Sequence, residues 1–320
     1  MNHLCIAICT HNRAELLQHT LDSINQAQRP EHCVLEILVV ANACTDNTHQ
    51  MLNAYQDSAE KRGEIPLRWA KEPKPGKSNA LNTLIRLIKA PAITFVDDDH
   101  RVDDCYLINI VKAFERYPET ELFCGRILPD WDGSEPAWVH DRGSYRIYPL
   151  PVPRFDQGDK PQTLTPDIAI PGGGNIFLHY ELLVRVGDFS TNFGPKGHDL
   201  GGAEDLQWVL RAQESGAMLQ YVPDVIQYHY VDPERLRLSY LIKKAYERSA
   251  STVRISKANT GPVIPNYMYR KIAGYLFSAI FCLHFQKRRF YLMRLAAALG
   301  EIKGFLILHR EAKDIAEKKA

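Results

Sequence analysis

The sequence predicts an α/β fold, a mostly parallel sheet flanked by helices, followed by a helical C-terminal extension. Three observations predict it. Short apolar runs alternate with amphipathic helical stretches through the first 127 residues; polar, chemistry-bearing residues recur just after those runs; and beyond Pro233 only helical patterning remains. The 320 residues are 45% hydrophobic and 24% charged, enough to bury a full core. No Pro/Gly/Ser linker divides the chain, so one large domain over 1–232 with a helical region over 233–320 is expected.

Leu4–Ile8 reads as the first strand, and Leu16, Leu17, Leu21 and Ile24 form the stripe of the helix after it. Leu35–Val40 is the second strand. Asp46 opens a helix carrying Met51, Leu52 and Tyr55 on one side. Ile65–Ala70 is a weaker strand. Lys77–Ile88 follows as a helix with Leu81, Leu84, Ile85 and Ile88 facing inward. Ala92–Val96 is a strand, Asp103 caps a helix through Ile110, Val111 and Phe114, and Leu122–Ile127 closes the series. From Pro129 to Pro171 the chain is rich in Pro, Gly, Asp and aromatics, which suits a functional lid or acceptor loop. Order resumes at Ile176–Val186, with a helix over Ala203–Glu214 and one or two strands over Met218–Val231.

Net charge is +1 but unevenly placed. Residues 235–320 hold 18 Lys/Arg against 5 Asp/Glu, net +13, leaving 21 against 33 and net −12 before them. A basic tail suits an anionic surface. Ile272–Phe285 is an apolar run of about 21 Å as a helix, short of the ~30 Å hydrocarbon core. Basic residues border it, and a second apolar stretch runs from Phe290 to Leu308. The region 266–309 therefore fits a peripheral membrane surface, with a helical hairpin packed on the domain or in a dimer as the alternative. The cysteines number seven, with no Cys-x-x-Cys pair, so neither a disulfide framework nor a zinc site is expected. No signal peptide is read at the N-terminus. A cytoplasmic protein, peripheral on the inner face of the plasma membrane if the tail binds lipid, is the expectation.

In an open parallel sheet, ligands bind beyond the carboxyl ends of the strands. Thr10-His11-Asn12-Arg13, Asn42 to Asp46, Lys74 to Asn79 and Asp97-Asp98-Asp99 all fall at such junctions. Three adjacent carboxylates cannot be packed in a core without severe desolvation and repulsion, and hard oxygen ligands suit Mn²⁺ or Mg²⁺. Lys77 at a helix start is a natural phosphate contact, although a surface lysine explains it as well alone. No Walker A loop occurs. Gly172-Gly173-Gly174-Asn175 and Gly201-Gly202 let backbone approach a ligand. Glu204 and Asp205 either supply a general base or complement a helix dipole. His229, taken alone, is more often structural than a metal ligand.

In order, these pieces resemble the family 2 glycosyltransferases of the GT-A, Rossmann-like fold. The resemblance rests on Cys9-Thr10-His11-Asn12-Arg13, Val39 to Thr48, Gly76-Lys77-Ser78-Asn79-Ala80-Leu81-Asn82, the Asp-x-Asp of Asp97 to Asp99, and Gly202-Ala203-Glu204-Asp205. It covers about residues 3–230. It implies an inverting, metal-dependent transfer of sugar from a nucleotide-diphosphate donor to an acceptor hydroxyl, in bacterial polysaccharide or glycan synthesis. A nucleotide-sugar-binding half (1–127) and an acceptor half (128–232) would follow. Thr10, Asn12, Arg13, Asn42, Lys77, Asp97 and Asp98 would bind the donor, and Asp99 with His229 would hold Mn²⁺ or Mg²⁺. Asp205 would be the catalytic base, with Glu204 beside it. Gly173, Gly174, Asn175 and Gly202 would meet a glycan or lipid-linked acceptor. Ala41 departs from the pattern, standing where many relatives carry a base-binding Asp.

Two other readings stay open. A sugar-nucleotide nucleotidyltransferase shares the topology but wants a glycine-rich loop after the first strand, which Thr10 to Arg13 is not. A non-catalytic membrane-associated scaffold would not need Asp97, Asp99, Glu204 and Asp205. Nucleic acid is not an expected partner, because the basic tail is apolar rather than polar.

Overall fold

A computed structural model describes residues 1–147, 150–191, 204–256 and 264–317, and falls into two compact units. The first is 1–130 with 153–230; the second is 131–152 with 231–320. The segment 131–152 thus groups with the C-terminal helices.

The first unit alternates strands and helices as the periodicity predicts. Its elements are β1 (His3–Thr10), α1 (Ala14–Gln26), β2 (Val34–Asn42), α2 (Thr48–Arg62), β3 (Leu67–Glu72), α3 (Lys77–Leu87), β4 (Ala92–Phe95), β5 (His100–Val102), α4 (Tyr106–Arg116), β6 (Leu122–Asp130), β7 (Gln162–Leu164), β8 (Ile176–His179), α5 (Tyr180–Val186), α6 (Glu204–Glu214) and β9 (Leu219–Tyr230). The sheet runs β3-β2-β1-β4-β8-β6-β9-β5, with β7 on β9. Pairings are parallel among β3, β2, β1 and β4 and between β6 and β9; β8, β5 and β7 run antiparallel to their neighbours.

Period-2 alternation decides which face each strand residue serves. In β1, Leu4, Ile6 and Ile8 join the core under α1, α2 and α4, and Cys5 and Ala7 join the one under α3, α5 and α6. The helices supply complementary stripes: Leu17, Leu21 and Ile24 from α1, Leu81, Leu84 and Ile85 from α3, Trp208 and Val209 from α6. Both faces are covered by helices, and the strand ends carry the polar residues that face the site. The parallel β6/β9 pair carries a register shift between Cys124 and Arg126. Gly125 allows it, since a Cβ there would lie 2.1 Å from the Val225 carbonyl oxygen.

The second unit holds α7 (Leu238–Ser256), α8 (Tyr267–Phe281) and α9 (Phe285–Glu317). The long apolar run of the sequence is therefore broken between two helices at Cys282 to His284. Among the described residues, no helix is long and apolar enough to cross a membrane. Val139, Val152 and Leu236 form a small core with Trp131, Trp138 and Leu150. Arg289 of α9 lies over the Trp138 ring and 3.6 Å from Asp141. Where α9 meets α7, a Cβ at Gly300 would fall 2.1 Å from the Tyr246 carbonyl oxygen, and one at Gly304 2.7 Å from that of Ala250. Small residues permit this close crossing. Gly300→Val is expected to destabilise the helical unit by about 2–3 kcal/mol through overpacking. An unchanged melting temperature would show that α9 sits further from α7 than described.

Candidate active site

The carboxyl ends of β1, β2 and β4 meet at one edge of the sheet, and side-chain amides tie their loops together. Asn12, in the left-handed region at φ 52°, accepts from the backbone N–H of Thr45 at 2.7 Å and of Asp46 at 3.3 Å. Asn42 accepts from Gly76 N–H at 2.8 Å and donates to the Lys74 and Glu72 carbonyls at 2.7 and 3.2 Å. The Asn42 amide is spent on backbone at both ends, and Asn12 spends its carbonyl oxygen there. These bonds shape the loops in which the two expected donor contacts, Asn12 and Asn42, sit. Thr10 is buried at the end of β1.

Lys77 opens α3 and reaches two carboxylates from different elements. Its ammonium donates to Asp97 Oδ1 at 3.2 Å and to Asp205 Oδ2 at 3.3 Å. Burial pulls the Lys77 pKa down, but the Asp205 and Asp97 charges prevail and hold it well above the ordinary lysine value. For Asp97, burial raises the pKa, yet Lys77 and then His100 more than offset it and keep the carboxyl below its usual range. The backbone N–H of Gly173 also donates to Asp205 Oδ2, at 3.1 Å. These groups line a cavity with Cys9, Phe95, Phe189 and Trp208. Burial pushes the Cys9 thiol up, so it is no nucleophile.

Two glycines let backbone lie against these carboxylates. A Cβ at Gly173 would fall 2.4–2.6 Å from the Asp205 carboxyl group, and one at Gly174 2.7 Å from Asp97 Oδ2. Gly173→Ala is expected to displace the Asp205 carboxylate and lower turnover roughly a hundredfold, as misplacement of a reacting group does. Wild-type turnover in that variant, measured under saturating substrates, would show that the contact has no catalytic role. Asn175 next to them is buried, and its amide donates to the Arg126 and Val225 carbonyls at 2.9 and 3.0 Å. The side chain of Asn175, a residue expected at the acceptor, thus holds the β6/β9 bulge. Gly202 lies outside the described residues. Glu204 is buried at the start of α6, and its Oε2 has no hydrogen-bond partner among the described residues. Burial, then repulsion from Asp205, raises its pKa.

Arg13 binds the other side of the acidic turn, donating to Asp98 Oδ1 at 2.9 Å and Asp99 Oδ2 at 2.8 Å. Burial, reinforced by the neighbouring Asp99 charge and opposed by Arg13, leaves the Asp98 carboxyl pushed up to about 6.

The third cluster is Asp99, His100 and His229, whose ligand atoms lie within 4.8 Å of one another. The antiparallel register of β5 on β9 sets His100 opposite His229, with ring centroids 4.9 Å apart. His229 Nδ1 lies 2.6 Å from the Tyr230 carbonyl oxygen, which can only accept. The proton is therefore on Nδ1, leaving the Nε2 lone pair 3.6 Å from Asp99 Oδ2. Burial lowers the His229 pKa, a shift in the direction a metal ligand needs. Gln227 plays the same part for His100. Its amide N–H donates to the Phe95 carbonyl at 3.0 Å, so its Oε1 faces His100 Nδ1. His100 Nε2 then points at Asp99 Oδ1, 3.8 Å away. One carboxylate and two imidazoles, each bonded through its outer nitrogen, form a donor set that fits Mn²⁺, which accepts nitrogen more readily than Mg²⁺ does. His100 and Gln227 carried no sequence signal beyond the histidine following the acidic triplet.

Fold and site together define a GT-A glycosyltransferase. The model of the family described as glycosyl transferase family 2 matches residues 5–187, and the chain belongs to that family. Glu204 and Asp205 lie beyond the matched stretch. The glucosyl-dolichyl phosphate glucuronosyltransferase of Haloferax volcanii is 20% identical over 245 residues, 75% of this chain and 73% of that protein. Among solved structures, the mannosyltransferase PcManGT of Pyrobaculum calidifontis, in complex with GDP-Man and Mn²⁺, is similar at TM-score 0.56 and 18% identity. The match covers 94% of this chain and 86% of that one. S. aureus TarS 1–349 with UDP-GlcNAc matches at TM-score 0.51 and 15% identity, covering 97% and 91%.

Proposed function

We propose that the protein is an inverting, metal-dependent glycosyltransferase that moves a sugar from a nucleoside-diphosphate donor to the hydroxyl of a glycan or lipid-linked acceptor in polysaccharide assembly. The observation carrying this reading is the Lys77 bridge between Asp97 and Asp205, which sets a donor-side carboxylate and a base on one cavity. The solved relatives with GDP-Man, UDP and UDP-GlcNAc support a nucleotide-sugar donor.

Asp205 takes the proton of the acceptor hydroxyl as its oxygen bonds to the anomeric carbon. The bond from that carbon to the diphosphate breaks on the opposite face, inverting the centre. Lys77 holds the Asp205 carboxylate in place and lends positive charge to the donor side. Glu204, whose Oε2 has no hydrogen-bond partner among the described residues, positions the acceptor. Arg13 and Asp98 border the nucleotide, and Asp97 meets the donor sugar or ribose. Asp99 and His229 would hold Mn²⁺ or Mg²⁺, with His100 beside them; the ion would neutralise charge on the leaving diphosphate.

The test is release of nucleoside diphosphate from a panel of UDP-, GDP-, CDP- and dTDP-sugars with Mn²⁺, with proton NMR of the product anomer. Metal-dependent release and an inverted anomer are expected. A retained anomer would remove the single-displacement mechanism. Pyrophosphate release from a nucleoside triphosphate and a sugar phosphate would make the protein a nucleotidyltransferase instead.

A further inference from the structure

The most exposed apolar residues of the described chain gather where α8 passes into α9. Phe277 is 64% exposed, Phe281 65%, Leu283 97% and Phe285 81%, with Leu276 and Ile280 exposed beside them. Their spacing places them on one stripe of α8 that continues through the connecting turn. The opposite side of α8 is engaged: Met268 and Ala279 are buried, and Lys271 binds Glu301 of α9 at 2.9 and 3.0 Å. The helix thus spends one face on its neighbour and leaves a hydrophobic face bare. Isolated exposed apolar residues are ordinary, but a contiguous aromatic patch marks a binding surface.

Charge identifies the occupant. Arg270 and Arg288 are exposed at the two borders of the patch, and Lys287 stands beside Arg288 against the Tyr145 ring. The surrounding stretch from 235 to 320 has 18 basic and 5 acidic residues. A second copy would bring this excess of positive charge against itself, and a nucleic acid would leave the aromatic centre in contact with phosphate. An anionic bilayer satisfies both parts, with headgroups meeting the basic border and acyl chains the phenylalanines. As a helix of 15 residues, α8 is about 22 Å long, too short to cross a ~30 Å hydrocarbon core but suited to lie in the interface.

We propose that the α8–α9 turn, through Phe277, Ile280, Phe281, Leu283 and Phe285, is a wedge that docks the protein on an anionic membrane surface. This goes beyond the transfer chemistry and does not depend on it, since no residue of the wedge belongs to the catalytic site.

Flotation of the full chain with vesicles of phosphatidylcholine, with or without phosphatidylglycerol, tests the proposal. Wild type is expected to float with the anionic vesicles. The variant Phe277→Ser/Phe281→Ser/Leu283→Ser/Phe285→Ser should partition about tenfold less, and Arg270→Gln/Arg288→Gln should lose the preference for anionic lipid. Exposed positions should leave the melting curve unchanged. If the fourfold variant melts early, Leu283→Ser alone, at the most exposed position, replaces it, with a smaller loss expected. Equal flotation of wild type and apolar variants would overturn the wedge. So would wild type that fails to float yet is dimeric by light scattering, with the variants monomeric; that would make the patch an interface between copies. Donor binding measured on the same variants should not change, which separates failure of this proposal from failure of the catalytic one.

Discussion

Asp205→Asn is expected to lower turnover about a thousandfold while leaving the affinity for nucleoside diphosphate within about twofold. The asparagine has the same shape, and its carbonyl oxygen can still accept from Gly173 N–H, so the backbone strip should stay in place. Lys77 keeps Asp97 as a partner. What disappears is the only function the amide cannot supply, acceptance of the acceptor's proton. The readout is steady-state turnover alongside calorimetric diphosphate binding. A parallel loss of binding would mean that Asp205 serves the donor and that the base lies elsewhere, with Glu204 the next carboxylate on the same turn.

The second large effect is expected at the metal centre. Asp99→Asn removes the one carboxylate of the Asp99/His100/His229 set and should weaken Mn²⁺ binding on the order of a hundredfold, with a comparable fall in turnover. His100→Gln should cost less, about tenfold, because Asp99 and His229 remain. Mn²⁺ titration of the protein with nucleoside diphosphate, followed by paramagnetic relaxation of water, reads this without any transfer assay. Unaltered Mn²⁺ affinity in Asp99→Asn would move the metal away from this cluster. The Arg13 contact to Asp99 at 2.8 Å lends the comparison weight, since a cation here must share that oxygen with a guanidinium.

Features set by local sequence were legible in advance. An apolar run ending in Asp97 to Asp99, a Gly76-Lys77 helix start and Thr10 to Arg13 after β1 each announce a strand end by hydrophobicity alone. What depends on pairing between distant segments was hidden. His100 faces His229 because the three-residue β5 takes a particular register on β9, and β5 is too short to give a periodic signal. Asn12, Asn42 and Asn175 have side chains that suit a ligand or a backbone, and only the loops around them show which backbone groups they bond. The reversal of β8 between β4 and β6 is likewise a matter of topology, for Ile176–His179 reads as a strand in either direction. The grouping of 131–152 with α7 to α9 rests on contacts such as Arg289 over Trp138, far apart in the chain.

Thermal unfolding of the wild-type chain and Asp99→Asn with UDP, GDP, CDP or dTDP, each with and without Mn²⁺, tests the glycosyltransferase site most directly. One diphosphate should stabilise wild type only when Mn²⁺ is present, by about 2.7 kcal/mol at a hundred times its Kd, and should do nothing for the variant. Wild type that melts at the same temperature with every diphosphate and Mn²⁺ at saturating concentrations, or a variant stabilised as much as wild type, would contradict a metal-diphosphate site at Asp99.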